Sequence, residues 1–512
     1  MDRGRVYNSF RNFLFGAFSQ IAALLLAFIV RSVFIRYLSL SYLGLNGLFT
    51  NVLTILSLAE LGFGTVMIHA LYRPLAENNE EKIQAYMQFY AKVYRVIGLI
   101  VAFAGIALMP FLDYLIKGRE AIDINIELLY GLYLLESVSS YFFAYKRSIL
   151  NADQKAYICS WVHFKILVIR SVLQILVLIL FQDFICYILI QILSTFLENV
   201  YLSYKVNRMY PYLKIRQKIR LTKEELNSIK KNVYALILSN IGRVTIKGSS
   251  NIIISAFVGI TVVGLYSNYV MITGAVIMIL SQVFSAMTGS VGNFLAKEDS
   301  SKHLELFERL DFLNFWLYGV CGICIYVFIN PVIGVWIGKE FTLDKVVVLV
   351  ISLNFVLEGF LYSLWLFRST MGLFVQGKYR PIFSAIINIC VSVFLGHSWG
   401  IVGVLLGTTV ARLAVNAWYD PYIIYKYGLS TSVFSYYKAY LYRFALIALI
   451  VVGSDFLIGE YVNNLDWLRL MGIIIGYVFL LNVFMVLVFR RNQSFIYYQS
   501  LVVSVFNKLK KG

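Results

Sequence analysis

Apolar runs of about twenty residues recur along the whole of this 512-residue chain, separated by short polar intervals. That length is what a helix needs to cross the hydrocarbon core of a bilayer. No water satisfies the backbone inside that core, so only helices and closed barrels can span it. Barrel strands alternate apolar and polar residues, whereas these runs are continuously apolar. Only 14% of the residues are charged and 60% are hydrophobic, against about 25% and about 45–50% in soluble proteins. The sequence therefore specifies an all-α polytopic membrane protein, with no stretch long and polar enough for a separate soluble domain.

Fourteen spans are expected, near 12–37, 43–70, 83–110, 124–146, 157–181, 184–205, 231–258, 262–296, 304–330, 342–368, 380–396, 399–425, 438–458 and 467–489. With the N-terminus in the cytoplasm, the inner loops hold nearly all the basic residues, including the nine of 205–231. The outer loops hold little beyond Lys117, Arg119, Lys339 and Lys345. Cytoplasmic loops carry an excess of Lys and Arg, so both termini are placed in the cytoplasm. The same distribution accounts for the net charge of +18 without a nucleic-acid partner. The first apolar run is too long for a signal peptide and reads as an uncleaved helix. All six prolines (Pro74, Pro110, Pro211, Pro331, Pro381 and Pro421) fall at or outside expected span ends, where a missing N–H breaks no interior hydrogen bond. Cys321 and Cys324 have the spacing of a metal or redox pair but lie inside a span without a second pair. The four histidines are scattered. No metal and no cofactor are expected.

The chain repeats itself. Ser19-Gln20-Ile21 matches Ser239-Asn240-Ile241 at an offset of 220, as Gly44-Leu45 matches Gly264-Leu265 and Lys82 matches Lys302. At 221, Pro110 falls on Pro331 and Arg147 on Arg368. Six spans per repeat is an even number, so the two halves lie parallel in the membrane, a known transporter architecture with its substrate site between the halves. The expected divisions are an N-terminal lobe (1–207), a basic cytoplasmic linker (208–230), a C-terminal lobe (231–429), and two further helices with a basic tail (430–512). Tyr210, Tyr212, Leu213, Ile215 and Ile219 among basic residues suit either a segment lying on the inner membrane surface or a solvated loop.

Ionisable groups at bilayer depth cost about 2.5–3.5 kcal/mol each on insertion scales and face a cavity or a partner. Arg170, Arg243, Lys247 and Arg412 lie near the middle of their spans, and Arg31 somewhat nearer the outer face. Four carboxylates accompany them: Glu60, Glu136, Glu198 and Glu358. Arg243 and Lys247, four apart, form one stripe on a helix face. One reading pairs each cation with a glutamate to hold helices in register. The other gathers Arg31, Arg170, Arg243, Lys247 and Arg412 around a phosphate- or pyrophosphate-bearing substrate, to which Arg offers a bidentate fork. The carboxylates would then take up H⁺ or Na⁺ for coupling.

Four stretches carry a family resemblance: FIRYLSLSYLGLNGLFTNVLTILSLAELGFGTVMIHALYRPLAENNEEKI (34–83), NADQKAYI (151–158), NIIISAFVGITVVGLYSNYVMI (251–272) and GIVGVLLGTTVARL…WYDPYIIYKYGL (400–429). They resemble, in order and over nearly the whole chain, the polysaccharide and O-antigen flippases of the multidrug/oligosaccharidyl-lipid/polysaccharide (MOP) exporter superfamily. The resemblance implies two six-helix lobes around a central cavity, with two further C-terminal helices. It implies movement of an undecaprenyl-pyrophosphate-linked oligosaccharide to the outer leaflet of a bacterial cytoplasmic membrane by ion-coupled alternating access. Membrane lipid and polysaccharide assembly proteins are the implied partners. Arg31, Arg243 and Lys247 match the family's cavity-facing basic positions loosely. Where relatives often carry an Asp before the Asn of the seventh span, this chain has Ser250, so any coupling ion must use another carboxylate.

Rival readings are a drug exporter of the same superfamily, a membrane-embedded polysaccharide polymerase, and a non-transporting scaffold. The outer loops reach at most about a dozen residues and hold no catalytic motif, and no phosphate-binding glycine loop is present, so no enzyme activity is expected. At the 220 offset Arg243 falls on Ala23 and Arg31 on Asn251. The halves thus bring their cations at different depths, and a pyrophosphate moving outward could be handed from Arg243 to Arg31.

Overall fold

A computed structural model describes residues 3–60, 62–119, 122–214, 221–373, 375–459 and 461–509. Every regular element among them is helical, as the backbone argument requires. The contacts gather the chain into two units, Met1–Gly264 and Leu265–Gly512.

The first unit comprises α1 (Arg3–Tyr37), α2 (Leu40–Leu56), α3 (Phe63–Ala76), α4 (Glu80–Leu108), α5 (Leu112–Leu115), α6 (Ile126–Tyr141), α7 (Arg147–Ala152), α8 (Ala156–Leu180), α9 (Phe184–Met209), α10 (Lys223–Phe257) and the opening turn of α11 (Ile260–Lys297). Helix starts follow from side-chain caps, which supply an acceptor to orphan N–H groups. Asn79 accepts from the Lys82 amide, Asn125 from Leu128, and Asp183 from Cys186. Thr222 and Glu225 form a reciprocal capping box at the head of α10. In the linker, the Tyr210 hydroxyl donates to Asp153 Oδ2 at 2.6 Å, and the Tyr212 carbonyl accepts from Gln84 Nε2 at 2.6 Å. That part of the linker is therefore docked on its own unit; Ile215 and Ile219 lie outside the described residues.

α1 packs along α8, α8 along α9, and α10 along α2 and α3. The repeat is visible in helix limits, since α1 and α10 share both ends at an offset of 220. Its related residues also meet in space. A Cβ on Gly44 would overlap the Ile260 carbonyl oxygen, and a Cβ on Gly264 would overlap the Leu40 carbonyl oxygen. The Ser41 and Thr261 hydroxyls lie 3.2 Å apart at the same crossing.

The second unit holds the rest of α11, then α12 (Ser300–Trp336), α13 (Lys345–Gly359), α14 (Leu361–Thr370), α15 (Arg380–Ala411), α16 (Ala417–Ile423), α17 (Phe434–Ile458), α18 (Trp467–Phe489) and α19 (Gln493–Leu509). Its core is aromatic: Phe307, Phe315, Tyr318, Phe367 and Tyr425 are almost wholly buried around α12. α15 is two helices joined at Gly400, whose φ of 57° and ψ of −136° suit only a residue without a side chain. The arms fold back so closely that a Cβ on Gly403 or Gly407 would strike Leu395 or Ser392.

Ten helices among the described residues are long and apolar enough to cross a membrane by length and composition, and this is a multi-pass membrane protein. The expected count of fourteen is not reached by single helices: the segment at 231–258, on α10, is not among the ten, and three other differences have local reasons. The segment at 43–70 is broken into α2 and α3 by a tight turn over Ser57–Glu60 and by Gly62, whose φ is +85°. The segment at 124–146 is shortened to α6, and the segments at 380–396 and 399–425 run together through the Gly400 bend. Three prolines lie within helices rather than at their ends, Pro74 in α3, Pro331 in α12 and Pro421 in α16. Pro74 and Pro331 are within the last two turns, where few interior hydrogen bonds follow.

Candidate functional site

In the first unit a run of cationic and polar side chains passes from α7 to α1 by way of α8 and α9. Arg147, opening α7, donates through Nη2 to Glu198 Oε1 at 2.8 Å and to Asn199 Oδ1 at 2.9 Å, both on α9. His163 Nδ1 on α8 lies 3.2 Å from Glu198 Oε2. The neighbouring Lys146 donates to two neutral partners, Ser203 Oγ at 2.7 Å and Asn207 Oδ1 at 3.0 Å. Two turns beyond His163, Arg170 stands on the same face of α8 and acts electrostatically on Glu198 and on the buried Tyr187. Tyr187 is also within electrostatic reach of Arg31 on α1. The Arg170 Nε is buried and has no hydrogen-bond partner among the described residues.

This run brings together two of the residues expected at the site, Arg31 and Arg170, with Glu198. It adds Arg147 and His163, which sequence reading places at a loop and near a span end. Two arginines, Arg147 and Arg170, act on the one carboxylate Glu198, so this part of the cluster carries more positive than negative charge among the described residues. An arginine fork with free N–H groups suits an oxyanion such as phosphate.

Glu136 on α6 accepts from Gln191 Nε2 at 3.0 Å and from Thr195 Oγ1 at 2.8 Å, both on α9. Glu60, at the break between α2 and α3, accepts from the Tyr94 hydroxyl of α4. Arg243 and Lys247 lie on α10, but their side chains lie outside the described residues.

In the second unit Arg412 and Glu358 meet each other: Nη2 lies 2.6 Å from Oε2, with each side chain about nine-tenths covered. Arg412 opens a short stretch, Arg412–Asn416, in which the helix widens to i→i+5 hydrogen bonding, a distortion frequent at functional positions. Two further buried acids were not among the sequence candidates. Asp311 on α12 pairs with Arg443 on α17 and accepts from Ser363 Oγ at 2.9 Å. Asp420 on α16 pairs with Arg380 and lies 3.5 Å from Arg368. Both acids lie inside the expected spans 304–330 and 399–425, towards their ends rather than at mid-depth. No group of three or more metal-binding side chains occurs among the described residues.

Residues 9–288 match the family model described as polysaccharide biosynthesis protein. No curated protein sequence matches the chain at a significant level. Among solved structures the chain is similar to the lipid II flippase MurJ in an inward closed conformation, at 17% identity and a TM-score of 0.62, covering 94% of this chain and 99% of that one. It is similar to a multidrug resistance MATE family transporter of the MOP superfamily in its inward-facing conformation, at 17% identity and a TM-score of 0.57, over 76% and 91% of the two chains. It is also similar to the Vibrio cholerae MATE transporter VcmN, at 14% identity and a TM-score of 0.53, over 84% and 99%. At these identities the likeness is one of fold.

Proposed function

We propose a function from one premise, that the chain belongs to the polysaccharide biosynthesis protein family. It is a multi-pass membrane protein with the fold of MOP-superfamily transporters. On our reading it is a flippase. It carries an undecaprenyl-pyrophosphate-linked oligosaccharide from the inner to the outer leaflet of a bacterial cytoplasmic membrane, with both termini in the cytoplasm. A pyrophosphate–glycan head cannot cross hydrocarbon unaided, whereas a polyprenyl tail can stay in lipid. Alternating access would move a sheltered head while the tail follows in the bilayer, and H⁺ or Na⁺ would drive the cycle.

The observation that carries this reading is Arg170: its buried Nε has no hydrogen-bond partner among the described residues, and Tyr187 links it to Arg31. Excess positive charge disfavours a cationic drug and favours a pyrophosphate. Polysaccharide assembly proteins are proposed partners on the same basis, because the product must be polymerised outside.

The test is reconstitution into liposomes with a fluorescent polyprenyl-pyrophosphate oligosaccharide. Wild type should move the lipid between leaflets. Arg170→Gln should lower the rate at least tenfold without altering reconstitution, since no direct ion pair of Arg170 occurs among the described residues. Full activity in Arg170→Gln and in the Arg31→Gln/Arg170→Gln double variant would refute the assignment.

A further inference from the structure

Arg368 and Arg380 share one acid. Arg368 Nη1 lies 3.5 Å from Asp420 Oδ1, and Arg380 pairs with the same oxygen. The aspartate is buried and each arginine side chain is about nine-tenths covered. Among the described residues, the charged groups acting on Arg368 are Arg380 and Asp420. A guanidinium does not lose its proton in a protein, so the cluster keeps one positive charge in excess. A buried charge without a counter-charge is costly.

The excess falls on Arg380. Arg368 stands in the last turn of α14, at the negative end of that helix, and its Nε donates to the Leu373 carbonyl at 2.9 Å. Arg380 opens α15, at the positive end of a long helix. Its Nε is buried and has no hydrogen-bond partner among the described residues. The internal repeat sets Arg380 apart as well. Arg368 falls on Arg147 at an offset of 221 and Asp420 on Glu198 at 222, so the pair Arg368–Asp420 is the counterpart of Arg147–Glu198. At either offset Arg380 falls on an uncharged residue, Cys159 or Ile158.

The surroundings have the character of a membrane interface. The Tyr419 hydroxyl donates to the Gln376 carbonyl at 2.9 Å and so fixes the loop before α15 against α16. Lys378 in that loop and Lys426 beyond α16 are both exposed. Tyr379, Trp418 and Tyr427 are exposed aromatics, the residues that settle at headgroup level. Phe383 and Ile386, exposed on the next turns of α15, continue the surface with apolar side chains.

We propose that Arg380, Lys378 and Lys426 hold the phosphate of an anionic phospholipid of the cytoplasmic leaflet, whose charge completes the Arg368–Asp420–Arg380 cluster. The inference rests on the cytoplasmic placement of this end proposed above, and not on what is transported. Basic pockets between spanning helices on that side take lipid headgroups, and guanidinium–phosphate hydrogen bonds are strong. One phosphodiester charge balances the one in excess. A zwitterionic headgroup brings its own cation and leaves the excess in place.

The test titrates the full-length protein in detergent with phosphatidylglycerol or phosphatidylcholine, and reads native mass spectra and thermal unfolding. Wild type should retain a phosphatidylglycerol and unfold at a higher temperature with it, and phosphatidylcholine at the same concentration should do neither. Arg380→Gln should lower the apparent affinity for phosphatidylglycerol at least tenfold. Arg368 still neutralises Asp420 in that variant, so without lipid it should unfold no lower than wild type. Lys378→Gln/Lys426→Gln should weaken binding several-fold at unchanged lipid-free stability. Arg490→Gln/Arg491→Gln, at exposed positions after α18, should bind as wild type. Equal affinity in wild type and Arg380→Gln overturns the site, as does a lipid-free loss of stability in Arg380→Gln. Equal stabilisation by inorganic phosphate makes this a free-anion site and overturns the lipid. Displacement of phosphatidylglycerol by a lower concentration of a polyprenyl pyrophosphate overturns it in favour of the transported head. Binding as expected in a protein that moves no lipid-linked glycan supports the lipid site and refutes the flippase reading instead.

Discussion

Ser41 and Thr261 are 220 positions apart in the chain, and their hydroxyls are 3.2 Å apart in the fold. The contact is reciprocal: Gly44 lies on the Ile260 carbonyl, and Gly264, its equivalent, lies on the Leu40 carbonyl. Residues that meet their own counterparts in this way mark a local two-fold axis. The internal repeat is thus a physical joint at the crossing of α2 and α11.

At that joint the obstruction is backbone, which cannot rotate away. Gly44→Leu and Gly264→Leu should each destabilise by about 3 kcal/mol, the upper end of overpacking costs, and by similar amounts because the contacts are equivalent. Thermal unfolding of the purified protein in detergent measures this. Gly274→Ala, with nothing within 4 Å of its Cβ, is the control and should leave the midpoint unchanged or raised. Unequal losses at Gly44 and Gly264 would contradict the local symmetry.

Arg412 and Glu358 bury their charges against each other at 2.6 Å. Removing one member leaves an uncompensated charge and costs about 3–5 kcal/mol. Glu358→Gln should therefore unfold at markedly lower temperature, and the Arg412→Gln/Glu358→Gln double variant should recover much of the loss. A double variant as unstable as the sum of the singles would show that the pair is not the stabilising unit.

At the head of α10, burial pushes the Glu225 carboxyl up, but hydrogen bonds from Thr222 and the nearby Lys82 outweigh it and hold the group below the usual carboxylate range. A depressed folded value means that the ionised form stabilises the helix start. That contribution is present above the ordinary carboxylate range and is lost as pH falls through the folded value. Hydrogen exchange at residues 223–226 should accelerate across that acid window. Thr222→Ala, which removes the cap at a cost of about 1 kcal/mol, should raise exchange there even at neutral pH.

The bend in α15 rests on one residue. Gly400 adopts φ 57° and ψ −136°, where a side chain costs about 1–3 kcal/mol. Gly400→Ala should lower thermal stability by that amount. Gly16→Ala, also within a helix but with no neighbour near its Cβ, should not.

Much of this was legible in the residues, because hydropathy and the 220 offset reflect lipid and symmetry, which act on long stretches. The matched ends of α1 and α10 are that signal in the fold. The break after Glu60 was not legible, since Gly62 looks like any other glycine until packing against Leu236 gives it a positive φ. The site was legible in part. Arg412 and Glu358 were recognisable as costly charges, but they stand 54 positions apart and only the fold makes them partners. Asp311 and Asp420 were missed because a search for charges at mid-depth passes over carboxylates towards the ends of their spans. Their arginines, Arg443 and Arg380, lie on other helices.

The joint between Ser41 and Thr261 has a consequence for biosynthesis. α2 emerges from the ribosome early, with its small-residue face ready for a partner that is still untranslated. At about 5–20 residues per second, the 220 intervening residues take about 10–40 s to make. For that interval the face around Ser41 and Gly44 must be shielded by lipid or by an insertion chaperone. A pause or truncation before residue 260 should therefore present quality control with an intermediate whose first unit is almost complete and whose seam is still open.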